Sequence, residues 1–161
     1  MRVFGIQSDG KFSEYIRTPF QVDHEEAILE EWLESNPDGI VEDGRILIIG
    51  RQVVTNFGGF IDLLGVDRHG DVVVVELKRD RTPRDTIAQS LEYVSFAERL
   101  DTAQLEGVLR SYLNDESLSL AEHHREYFEL GLEEAIAFNK DQRIVIVGQP
   151  KFDTFADAKH V

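Results

Sequence analysis

Asp62, Glu76 and Lys78 are the residues whose types and spacing could do chemistry together. They lie in two strand-like runs, Gly59 to Val66 and Val72 to Lys78, joined by the hairpin turn signal Asp67-Arg68-His69-Gly70-Asp71. A turn centred near His69 sets Asp62 directly opposite Glu76, and cross-strand partners carry their Cβ atoms about 4.5–5.5 Å apart on one face. Lys78, two residues beyond Glu76, shares that face. Two carboxylates that close repel each other, and each sits in an apolar strand where an uncompensated charge is costly. A hard, oxygen-seeking cation such as Mg²⁺ answers both problems. A lysine beside it would align an attacking water and offset charge on a phosphate. Metal-assisted phosphodiester hydrolysis is the reaction that suits the trio. The competing reading is a cross-strand salt bridge, with Lys78 neutralising both acids at the sheet edge.

The elements that must position these residues can be read from pattern. Residues 1–22 read as a β hairpin, with Val3 to Ile6 and Phe12 to Ile16 flanking Ser8-Asp9-Gly10. Asp23 reads as an N-cap and Glu26, three residues on, completes a capping box. Ile28, Leu29, Trp32 and Leu33 follow at helical spacing until Asn36-Pro37-Asp38-Gly39 stops the helix. Ile46 to Ile49 is a further strand, and the unbroken run Val72 to Val75 predicts a central strand buried on both faces. Thr82-Pro83-Arg84-Asp85 opens a helix to about Leu100, with Ile87, Leu91 and Val94 facing inward. Residues 103–137 are helical in pattern, with Gly131 as a break in their second part, and Arg143 to Gly148 is a late strand. Gln149 to Asp153 leads into a helix start, which predicts that the chain is cut from a longer one or lacks a neighbouring segment. The order predicts an α/β domain, a mixed sheet with helices on both faces. In domain terms this is the hairpin over 1–22 and one domain over 23–161.

Composition sets limits on the partners. The 161 residues include 17 Lys+Arg and 31 Asp+Glu, a formal net charge of −14. Apolar residues at 42% suffice for a core, and the absence of cysteine excludes disulfides, thiol nucleophiles and cysteine-bound metals. No apolar run has the roughly 18 residues of a membrane span, and the N-terminus lacks a signal-peptide core, so the expectation is a cytoplasmic protein without a membrane partner. Phosphate-backbone binding draws on Lys and Arg, so the charge argues against a generic nucleic-acid coat. It leaves room for an enzyme with a local basic strip. Lys78, Arg79, Arg81 and Arg84 are four cations in seven residues directly after the second strand, and they read as such a phosphate-contacting strip. A solvated turn balanced by Asp80 and Asp85 is the alternative for them. His123-His124 reads as solvated surface, because adjacent residues point to different helix faces. Ser111 to Ala137 carries seven acids against one Arg and should face away from nucleic acid or pack on a basic partner.

Asp62, Glu76-Leu77-Lys78 and, on the following helix, Gln89 and Tyr93 together resemble the PD-(D/E)XK (restriction-endonuclease-like) nuclease superfamily. Within it, the chain resembles the catalytic domain of NucS/EndoMS-type DNA endonucleases. The likeness runs from about Glu25 to Tyr93 and includes Glu26 to Leu33, Asn36-Pro37 and Phe57-Gly-Gly-Phe-Ile-Asp62-Leu-Leu-Gly65. Ile61 stands where the superfamily often has proline. The resemblance implies a restriction-endonuclease-like fold and an endonuclease, a hydrolase acting on DNA with RNA as second candidate, using Mg²⁺ or Mn²⁺. Asp62 and Glu76 would bind the metal with the Leu77 carbonyl as a further ligand, and Lys78 would align the water. Glu26 would be the first-helix acid that supplements the site, with Glu25 as rival register. Gln89 and, one turn later, Tyr93 would support the site and the phosphate backbone. Glu26 as a simple capping acid, and Gln89 or Tyr93 as buried polar residues, stay open beside this. Domains of this sort gain specificity from a homodimer or from a fused or partner domain. A non-catalytic nucleic-acid-binding or protein-interaction module on the same fold is the alternative function.

Overall fold

A computed structural model of the protein describes residues 3–6, 12–15, 26–41, 44–56, 58–78 and 83–148. Near the N-terminus β1 (Val3–Ile6) and β2 (Phe12–Tyr15) pair antiparallel as a two-stranded sheet, with Val3 opposite Tyr15. Helix α1 (Glu26–Ser35) follows, and Pro37–Gly39 adds a single 3₁₀ turn. The main sheet has four strands in the order β3 (Leu47–Val54), β4 (Phe60–Val66), β5 (Val72–Lys78) and β6 (Gln142–Gly148). Strands β3, β4 and β5 are antiparallel neighbours, whereas β6 runs parallel to β5. A parallel return needs a long crossover, and α2 (Pro83–Ala97), α3 (Thr102–Leu113) and α4 (Leu120–Phe128) make it. The protein is therefore an α/β domain built on a mixed sheet.

Strand β5 shows why the sheet is covered on both sides. Val72, Val73, Val74, Val75 and Leu77 are all fully buried. Val72 and Val74 join one core cluster with Tyr93, Ala97, Leu105, Leu109 and Phe128 of the crossover helices. Val73, Val75 and Leu77 join the other, against Leu29 and Leu33 of α1. Each such side chain contributes about 1.5–3 kcal/mol through burial. The expectation of a central strand with helices on both faces holds.

The turn between β4 and β5 also follows its local chemistry. Asp67 Oδ1 accepts from the backbone N–H of His69 at 2.8 Å and of Asp71 at 3.0 Å, and Gly70 takes φ +88°. Leu63 then faces Val75 and Val66 faces Val72, the register that the turn signal predicts.

Three expectations need correction. The inward face of α2 is not Ile87 and Leu91, which are 53% and 57% exposed; Ser90, Tyr93 and Ala97 are buried instead. The reason is that the face is set by where α2 lies on β5 and β6, and a serine and an alanine let it approach closely. The helical run over 103–137 ends at Phe128, where Glu129 turns left-handed at φ 53°, two residues before Gly131. Residues beyond return without helix, held by the Asn139 amide, which donates to the carbonyls of Ala97 and Leu100 at 2.8 Å each. His124 is not surface: it is fully buried, with Nε2 2.7 Å from the Asp67 carbonyl and its ring beside Phe128 and Phe138. Spacing correctly separated the two histidines but could not tell which face met the β4–β5 turn. The Asp23 cap, the boundary near residue 22 and the helix start after Gln149 fall outside the described residues. No helix among the described residues is long and apolar enough to cross a membrane.

Candidate active site at the end of the β4–β5 ladder

Pairing between β4 and β5 stops at Leu63 and Val75, while β4 continues along β3 to Phe60 and β5 continues along β6 to Lys78. Asp62 and Glu76 are the next residues on their strands, at the fork where the two part. Here the Asp62 side chain takes over from the ladder: Oδ2 accepts from the Leu77 backbone N–H at 2.7 Å. Glu76 continues the face of Val72 and Val74 and is 1% exposed, so a carboxylate sits at the rim of an apolar core. Lys78 ends β5, opposite Gly148 of β6, with its side chain outside the described residues.

A polar network joins Asp62 to α1. Gln52 Nε2 donates to Asp62 Oδ1 at 3.2 Å and to Glu30 Oε2 at 3.0 Å. The other oxygen of Glu30 accepts from Arg51 Nε at 2.7 Å, and Arg51 Nη1 reaches Glu34 at 2.9 Å. The Tyr112 hydroxyl on α3 donates to the remaining oxygen of Glu34 at 2.5 Å. Burial first, and then this bond to a carboxylate, hold the Tyr112 hydroxyl protonated well above the usual phenol range. The Glu30 carboxylate bonded to Arg51 raises the guanidinium further, against a smaller desolvation that lowers it. A cleft of about 500 Å³ opens between β3 and α3 beside this network, bordered by Arg51, Gln52, Gln104, Ser111 and Tyr112.

The first-helix acid that reaches this network is Glu30, one helical turn beyond Glu26. Glu26 heads α1, and its side chain, like Glu25, lies outside the described residues. The signal that could have found Glu30 is its i+4 relation to Glu26 and i−4 relation to Glu34, which places all three on one stripe. Nothing in the sequence singles out Gln52. On α2 the Gln89 amide donates to the Tyr93 hydroxyl at 2.5 Å, one turn along the helix. Tyr93 is 3% exposed within the core, and a Cβ on Gly59 would meet its hydroxyl at 2.6 Å, so the ring is a floor beneath the Gly58-Gly59 turn rather than a surface. The side chains of Arg79, Arg81 and Arg84 lie outside the described residues. Among the described residues no three acidic or histidine side chains converge as a metal cluster.

With this geometry in view, the sequence profile of the endonuclease NucS C-terminal domain matches residues 25–134, a span that holds α1, the fork, α2, α3 and α4. The chain belongs to that family. Its resemblance to endonuclease NucS of Pyrococcus furiosus (strain ATCC 43587 / DSM 3638 / JCM 8422 / Vc1) is 32% identity over 84 residues, 52% of this chain and 30% of that protein. The chain thus matches less than a third of the length of that NucS relative. A solved structure described as an EndoMS–dsDNA2 complex is similar with a TM-score of 0.41 at 22% identity, over 87% of this chain and 52% of that one.

Proposed function

We propose that this domain is a nuclease that hydrolyses phosphodiester bonds in DNA with a divalent cation, Mg²⁺ or Mn²⁺. The observation that carries the reading is the fork itself. In a member of the NucS C-terminal domain family, Asp62 and Glu76 are the next residues on their strands after the last β4–β5 pair, Asp62 accepts from the Leu77 N–H, and Lys78 follows two residues on in β5. The donor set fits the cation: two carboxylates and the Leu77 main-chain carbonyl are hard oxygen donors of the kind Mg²⁺ and Mn²⁺ take. When bound, such an ion polarises a phosphoryl oxygen and lowers the pKa of a coordinated water. The work of this chain's own residues follows. Leu77 N–H holds one oxygen of Asp62 and so orients the carboxylate. The Lys78 ammonium orients the attacking water and offsets charge on the phosphate. Arg79, Arg81 and Arg84 contact the phosphate backbone beyond the cleavage point. Gln89, tied to Tyr93, lies on the helix packed against β5 and steadies that side of the site.

The test is cleavage of single-stranded, duplex, flapped and mismatched DNA, and of RNA, with Mg²⁺ or Mn²⁺ against EDTA. Cation-dependent cleavage is expected, with loss in Lys78→Ala while the far-ultraviolet circular dichroism is unchanged. Cleavage that persists in EDTA would overturn the metal, and undiminished cleavage by Lys78→Ala would remove that residue from the mechanism. The second reading, a non-catalytic binding module, is favoured by the hydrogen bonds that already engage both oxygens of Asp62. It predicts no Mn²⁺ binding at the fork.

A further inference from the structure

Gln52 is a residue on a strand with a left-handed backbone, φ 50°. Successive residues of a regular strand point to opposite faces, so Arg51 and Gln52 should diverge. Instead both reach the same carboxylate, Arg51 to Glu30 Oε1 at 2.7 Å and Gln52 to Glu30 Oε2 at 3.0 Å. The left-handed turn at Gln52 swings its amide back to the side of α1. A non-glycine residue held in that conformation is strained and persists where the surroundings demand it. Here the demand is visible: the same amide nitrogen donates to Asp62 Oδ1 at 3.2 Å.

The geometry points to Gln52 as a positioning residue for the metal-binding site, holding Asp62 in its binding orientation and tying it to the buried Glu30. This rests on the reading of Asp62 as a cation ligand. With Oδ2 held by Leu77 N–H and Oδ1 by Gln52, the plane of the Asp62 carboxylate is set by two donors from two strands. One neutral amide also stands between two acids, 3.0 Å from one and 3.2 Å from the other, so it lets Glu30 lie next to Asp62 without direct repulsion. Glu30 is in turn anchored by Arg51, so the orientation of Asp62 is referred through Gln52 to α1 rather than to the fork alone. Partners of this kind behind a ligand typically change metal affinity about 10–100-fold when removed.

The test uses Gln52→Gly and Gln52→Asn beside the unaltered protein. Glycine accepts the left-handed backbone without strain and removes the amide; asparagine also tolerates it and retracts the amide by one methylene. Mn²⁺ affinity is measured by calorimetry or electron spin resonance, and thermal unfolding is followed without metal. Both variants are expected to melt near or above the unaltered protein and to bind Mn²⁺ about tenfold more weakly. Equal affinity in the variants, with binding intact in the unaltered protein, overturns the role of Gln52 and leaves the metal reading standing. No Mn²⁺ binding by the unaltered protein overturns the metal reading and this inference with it. Loss of folding in both variants makes Gln52 a structural residue and overturns the inference as well.

Discussion

The Leu77 backbone N–H, two residues past the last β5 pair at Val75, donates at 2.7 Å to the carboxylate of Asp62, the residue next to the last β4 pair at Leu63. The side chain does at the fork what a strand carbonyl does along the ladder. This lets the two strands part without leaving the Leu77 N–H unpaired, and it ties the Asp62 carboxylate to β5.

That bond separates two substitutions of Asp62. Asp62→Asn keeps an acceptor for Leu77 but removes the charge and turns its NH2 toward the Gln52 donor; it should cost about 1 kcal/mol of stability while abolishing cation-dependent cleavage. Asp62→Ala strands the Leu77 and Gln52 donors and should cost about 1–3 kcal/mol more. Urea unfolding and cleavage assays on both check this. A loss of stability in the Asn variant as large as in the Ala variant would mark Asp62 as a structural ion-pair residue.

Arg51 links Glu30 and Glu34, with side chains 34%, 8% and 21% exposed. Arg51→Met should destabilise by about 2–3 kcal/mol, less than for a fully buried pair because the guanidinium meets solvent. Adding Glu30→Leu should recover more than half of that, since the uncompensated buried charge is then gone. A double variant no more stable than Arg51→Met alone would show that the pair is not coupled.

Burial holds the pKa of His124 below the ordinary 6.5 of a histidine, outweighing the Asp67 carbonyl bond and charge, which raise it; Arg68 and Arg125 lower it further. The unfolded chain therefore takes up a proton that the folded one resists. Stability from this group is complete above about pH 6.5 and falls as pH drops below it, at a slope approaching about 1.4 kcal/mol per pH unit. His124→Phe should remove that slope, at a cost of about 1 kcal/mol at pH 8 for the lost bond to Asp67. Urea midpoints from pH 8 to 5 give the comparison; parallel curves would refute the assignment.

Gly59→Ala would place a Cβ 2.6 Å from the Tyr93 hydroxyl and 2.8 Å from its ring. Tyr93 is packed in the core, so it has little room to yield, and a loss of about 1–3 kcal/mol is expected. Because Tyr93 accepts the Gln89 amide, cleavage should fall more than the melting point alone explains. An unchanged melting point would mean that the Gly58-Gly59 turn moves away freely.

What could be read from the chain alone was short-range. The Asp67-to-Asp71 turn sets the β4–β5 register within five residues, from Val66 opposite Val72 to Leu63 opposite Val75, because a hairpin turn and strand alternation leave few choices. The central position of β5 followed from an apolar run that tolerates no wet face. Distances across the fold decided the rest. Residues 25–34 offer Glu25, Glu26, Glu30, Glu31 and Glu34, and only the seat of α1 on the sheet brings Glu30 and Glu34 to Arg51, and Glu30 to Gln52. The same holds for α2, whose larger side chains Ile87 and Leu91 stay exposed while Ser90 and Ala97 are buried, because close approach of helix to sheet favours small residues. The left-handed backbone of Gln52 has no sequence mark at all. It exists because three side chains from α1, β3 and β4 meet there, and that meeting is a property of the tertiary structure alone.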